Sequence, residues 1–270
     1  MAPADAHETF SSRAGSPPQL PSRERLAVWG GITAVTAVSW LALVRLRVPG
    51  GMSAPRGDIA SAMGAGATVW SFHDAWLVFV MWTVMMAAMM LPSASPMIEM
   101  YARIARGRTA ERIGHTWLFV AGYLIAWAGF SAAITAVQYP LERSRIIGDA
   151  MSMGPFAGGL LLIATGIYQL TPLKEACLSQ CRSPLGFFMT KWRSGARGAL
   201  AMGLDHGVFC VGCCWLLMAL MFVAGAMNLL WTVALTIFVL LEKAAPRGDT
   251  FARASGVAMI ASGIALAAFV

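Results

Sequence analysis

The sequence predicts an all-α fold, a polytopic bundle of transmembrane helices. Three observations carry this. Charged residues make up 12% of the 270 residues, about half the roughly 25% of a soluble domain. Hydrophobic residues reach 58%, which excludes a disordered chain. The apolar residues also fall in blocks of the length a helix needs to cross a bilayer, about 20 residues with a range of about 17 to 25. Five cysteines in 270 residues are too sparse for a disulfide-built scaffold.

Seven blocks qualify, in chain order. Residues 26–44 carry no charge, and residues 75–91 end at Pro92. Residues 117–137 form the third, and residues 156–173 the fourth, with Pro172 near the end. No charged residue stands between Asp205 and Glu242. That stretch is too long for one span and suits two, 207–224 and 227–241, joined by a turn at Gly225–Asn228. Residues 254–270 complete the set. The blocks are apolar all round. Barrel strands alternate instead, and open sheet leaves its backbone unsatisfied in lipid. Residues 1–25, with Pro3, Pro17, Pro18 and Pro21, read as a disordered cytoplasmic tail and not as a signal peptide.

The net charge is +7, and its placement gives the orientation. Of the 20 Lys and Arg, 15 fall in the tail and the loops on its side. The other five are Arg45, Arg47, Arg56, Arg143 and Arg145. Basic loops stay in the cytoplasm, so the N-terminus is expected there and the C-terminus outside. The excess charge then argues orientation in the plasma (inner) membrane and not a nucleic-acid partner.

Sulfur is concentrated on that same side. Cys177 and Cys181, spaced i, i+4, share a helix face just beyond span four. His206, Cys210 and Cys213 fall within roughly 60° of one another on a helix, with Cys214 at the border, and they open span five. Span two brings Met85, Met86, Met89 and Met90 to the cytoplasmic leaflet. Thiolates and thioethers are soft donors that select Cu(I), and thiolates also hold Zn(II). Cytoplasmic thiols stay reduced. The same residues can also simply pack, since free Cys and Met are common core residues.

Other polar residues have structural readings beside functional ones. Glu242 could accept a proton released by the thiols, ligate a metal, or pair with Lys174 or an Arg. Asp205 and the His73–Asp74 pair suit helix N-caps. Ala199, Gly203 and Gly207 form a ladder that lets helices approach closely. Phe187, Phe188, Lys191, Trp192, Arg193 and Arg197 read as an interfacial anchor against anionic lipid. No Walker loop, GxSxG elbow, HExxH or dinucleotide fingerprint occurs, so no motif points to an enzyme.

Three blocks together resemble a bacterial family described as predicted metal-binding integral membrane proteins. They are Trp82 with Met85 to Pro92; Tyr168 to Lys174 with Cys177 and Cys181; and Gly207, Cys210 to Trp215, Met218, Gly225 to Asn228 and Glu242–Lys243. The resemblance covers roughly residues 70 to 268. It implies a polytopic membrane fold and a bound metal, with copper handling suggested, and supplies no reaction. Three functions therefore stand at this point. One is Cu(I) delivery or translocation, with a metal donor or acceptor protein as partner beside the lipid bilayer. The others are a thiol–disulfide relay through Cys210-Val-Gly-Cys213, and a permease or assembly factor whose cysteines only pack.

Overall fold

The structure, a computed structural model, describes residues 21–47, 70–108, 113–148, 151–245 and 248–268. Among them lie nine α-helices. They are α1 (Ser22–Arg47), α2 (Phe72–Arg108), α3 (Ile113–Arg143), α4 (Pro155–Gln169), α5 (Pro172–Arg182), α6 (Pro184–Lys191), α7 (Gly195–Ala219), α8 (Leu229–Ala244) and α9 (Gly248–Ala268). A 3₁₀ turn, Leu220–Phe222, extends α7. No strand occurs among the described residues, where β pairing is limited to the isolated bridge Ile147–Met153. The expected tail lies outside the described residues through residue 20, while Ser22–Arg25 already belong to α1.

Five helices are long and apolar enough to cross a membrane: α1, α2, α3, α7 and α9. The count becomes six if α4 and α5, bent by 67° at their junction, make one broken span. The helix α8, with 16 residues, is shorter than the about 20 a bilayer core asks for.

Pro92 does not end the second helix as the sequence suggests. Instead α2 runs on to Arg108 with Pro92 and Pro96 inside it. A proline frees the carbonyl four residues before it. The carbonyl freed by Pro92 is that of Ala88, and the indole of Trp40 in α1 donates to it at 3.2 Å. Pro96 frees the carbonyl of Pro92, which accepts from Ser95 Oγ at 2.8 Å. Both orphans are satisfied, so the helix need not break. Its start is a capping box: Ser71 Oγ accepts from Asp74 N at 3.2 Å, and Asp74 Oδ2 accepts from Ser71 N at 2.8 Å. Asp74 thus completes a cap centred on Ser71.

The fourth block also divides differently. The helix α4 stops at Gln169, and Thr171 caps a new helix by accepting from Lys174 N at 3.3 Å. Pro172 sits at the first position of α5, where its missing N–H costs nothing. It therefore starts a helix and does not end one. The fifth block starts earlier than predicted, since α7 opens at Gly195. Asp205 is then no N-cap; it lies inside α7 and pairs with Arg193 at 3.5 Å.

Small residues set the closest crossings. At Gly203 in α7 an added Cβ would collide with the backbone carbonyl of Phe119 in α3, and at Gly122 in α3 it would meet that of Leu200. The helices α4 and α9 cross the same way at Gly159 and Gly263. Gly203→Leu should therefore abolish the monodisperse protein peak in size-exclusion chromatography. Gly129→Ala, which meets nothing within 4 Å, should keep it and add about 0.5–1 kcal/mol from helix propensity. A folded Gly203→Leu protein would show that α3 and α7 do not touch there.

Candidate metal centre

The site forms where α5 and α7 pack together, beside α2, α3 and the end of α8. The sequence sets its spacing. Cys210 and Cys213 are one turn apart on α7, and Cys181 lies in the last turn of α5. Sγ atoms of Cys181, Cys210 and Cys213 all lie within 4.8 Å of one another. The Cys181 and Cys213 sulfurs are 3.9 Å apart. Cys210 and Cys213 are buried and Cys181 is half-buried. No disulfide closes the group, since all five cysteines are free.

The remaining predicted residues stand around this trio. The Cys214 thiol donates back to the Cys210 carbonyl at 2.9 Å, and the Cys213 thiol does so at 3.1 Å. Such bonds to the preceding turn hold each sulfur in one rotamer. Cys177 lies against Gly212, where a side chain at 212 would meet its sulfur. Tyr168 pins the same turn by donating to the Gly212 carbonyl.

His206, one turn before Cys210, is buried between rings. Phe119 stacks on it at 6.1 Å and Tyr123 at 5.6 Å, and Phe187 meets it edge-on at 5.7 Å. Its Nδ1 is buried and has no hydrogen-bond partner. The imidazole is thus outside the thiol trio but carries an unused donor or acceptor. Phe187 and Phe188 are both buried. This corrects their reading as interfacial anchors: Phe187 walls the histidine, and Phe188 packs on Phe119 behind it. Lys191 covers that wall, with Nζ 4.2 Å from the centroid of Phe209.

Met85, Met86, Met89 and Met90 are all buried on α2, in the same core as the α7 thiols. The link between the two elements is Tyr123 of α3. Its hydroxyl donates to the Met90 carbonyl at 3.2 Å and lies 3.1 Å from Cys210 Sγ. Lys243 supplies a second link. Its ammonium donates to Cys210 Sγ at 3.0 Å and to Ser93 Oγ of α2 at 3.1 Å.

The end of α8 straps the site together. Glu242 forms a buried ion pair with Lys174 of α5 at 2.6 Å, both side chains being 2% exposed. Arg182, next to Cys181, donates to the Ala245 carbonyl at 2.8 Å. The two bonds tie both ends of α5 to the C-terminal end of α8.

A family model described as "Copper chaperone", PpoB2, matches residues 79–266. The chain belongs to this copper chaperone family. Searches of curated proteins and of solved structures give no match. The matched stretch takes in every residue of the thiol centre and Met85, Met86, Met89 and Met90, and leaves α1 and the first turns of α2 outside. Membership in a copper chaperone family and a cluster of three thiols agree on the chemistry: soft sulfur ligands for copper. Three neighbours of the centre were not predicted as site residues: Tyr123, Ser93 and Lys243. Tyr123 is a lone phenol within an apolar block, and a buried Tyr usually finds a polar partner. That signal was available. Lys243 entered as loop charge and as part of the Glu242–Lys243 pair of the family resemblance, with no role assigned at the thiols.

Proposed function

We propose that this protein is an integral membrane copper chaperone that holds Cu(I) as cargo at Cys181, Cys210 and Cys213 and passes it to a partner protein. The observation that carries this reading is the meeting of three reduced thiols, from two helices, within 4.8 Å. Cu(I) accepts two or three thiolates and has little demand on geometry, so a half-buried trio suits it. Zn(II) prefers four ligands in a tetrahedron, which this group supplies only with a further donor.

The other sulfur residues suit ligand exchange. Cys177 and Cys214 flank the trio, and His206 offers the unpartnered Nδ1 one turn away. Met85, Met86, Met89 and Met90 are weaker, neutral donors, and they let an ion move without deep trapping. Binding to thiols releases protons. Glu242 is the carboxylate that would accept one, and only by giving up its ion pair with Lys174.

In the membrane we place seven passes, with α4–α5 as a broken one and α8 as a short one. The thiol centre then faces the cytoplasm, the N-terminus lies inside and the C-terminus outside. The 15:5 division of Lys and Arg supports this arrangement.

The test is metal content. Reduced, detergent-purified protein titrated with Cu(I) against a chromophoric chelator should bind one equivalent tightly. Zn(II) should bind more weakly. Failure to compete for any Cu(I) would overturn the proposal. A second reading, the thiol–disulfide relay, draws on the 3.9 Å approach of Cys181 and Cys213. It expects mixed disulfides with a partner to be trapped in cells, and metal-free protein to be the active form.

A further inference from the structure

A full charge touches the thiol trio at Lys243, whose Nζ is 3.0 Å from Cys210 Sγ. Ser93 holds the ammonium there from the other side at 3.1 Å. Its chain neighbour Glu242 does not cancel it, because that carboxylate is paired with Lys174. Cys210 and Cys213 are each 1% exposed, so water screens the charge poorly.

We propose that Lys243 sets the charge of the ion that the thiol trio prefers, favouring a monovalent soft cation over a divalent one. The inference rests on the trio being the cargo site. Three thiolates around Cu(I) carry a net charge of −2; around Zn(II) they carry −1. An ammonium beside them attracts the first complex twice as strongly as the second. The empty site is the same in both cases, so it cancels from the ratio of the two affinities. What remains in that ratio is the attraction of Lys243 for one unit of charge. Across a few ångströms at the effective dielectric of protein sites, this is a factor of about ten to a hundred. Lys243 is thus a specificity residue that acts through the ligands and binds no metal itself.

The experiment measures affinities for Cu(I), Ag(I) and Zn(II) by chelator competition on the full-length protein in detergent. The variants are Lys243→Met, Lys243→Gln and Lys243→Arg. Both neutral variants should lower the preference for Cu(I) over Zn(II) by about ten- to a hundredfold. Lys243→Arg should keep it. The ratio of Cu(I) to Ag(I) should stay constant throughout, because both ions are monovalent. Lys243→Gln, which retains a donor for Ser93, carries the test if Lys243→Met does not fold. An equal loss for Cu(I) and Zn(II) would make Lys243 a structural residue and overturn the inference, as would an unchanged ratio. If the wild-type protein binds none of these ions, the reading of the trio as a cargo site falls first. If it binds Cu(I) at the trio and the ratio does not move, the inference alone falls.

Discussion

Glu242→Gln should leave the protein barely folded. The substitution keeps the shape of the side chain and removes the charge that faces Lys174 at 2.6 Å. Lys174 is then a buried ammonium with no counter-charge. Breaking a buried pair in this way costs about 3–5 kcal/mol, a large share of the about 5–15 kcal/mol that holds most domains. Thermal unfolding followed by fluorescence in detergent would show the fall. The companion variant separates charge from packing. Lys174→Met combined with Glu242→Met replaces both ions with apolar residues, which is often neutral or stabilising. The double variant should therefore recover most of the wild-type midpoint. If Glu242→Gln unfolds with wild-type stability while Cu(I) uptake slows, then proton acceptance, not the strap to α5, is the part Glu242 plays.

The second large effect is expected at Cys210. This sulfur belongs to the trio, meets Tyr123 at 3.1 Å and Lys243 at 3.0 Å. Cys210→Ser retains a small polar side chain for both partners but gives up the soft donor. Losing an outer partner of a metal site typically lowers affinity about 10- to 100-fold. Losing a ligand should exceed that range. Cys214→Ser is the matched control, because Cys214 is buried on the same helix but lies outside the trio. Chelator competition with Cu(I) should separate the two variants clearly. Equal affinity in both would disprove the trio as the binding site.

How much of this was legible in the sequence depended on the range of the interaction involved. Spacing along one helix is local, and it put Cys210 beside Cys213 on one face correctly. The helical class followed from composition and block length for the same reason. The meeting of Cys181 with that face needed the bend after Gln169. Its signal, Thr171 capping with Pro172 behind it, was present and was read as an end and not as a beginning. The continuation of α2 past Pro92 could not be read locally. It depends on Trp40, 48 residues away in α1, reaching the freed carbonyl of Ala88. Lys243 is the same kind of case. Its position at Cys210 comes from the packing of α8 on α2 and α7, which the Glu242–Lys243 pair of the resemblance does not by itself reveal.

If the protein transfers copper as proposed, the glycine crossing of α3 and α7 bears on how fast it does so. Gly122, next to Tyr123, and Gly203, about two turns before Cys210, bring the two backbones together. Helices locked backbone to backbone slide or separate slowly, on the microsecond to millisecond scale of collective motion. Side-chain rotation takes picoseconds to nanoseconds where there is room for it. An ion that leaves by rotation of Cys181, on the more exposed wall, needs no helix to move. The crossing thus makes one wall of the site fixed and the other quick, and under the proposed function release needs only the quick one.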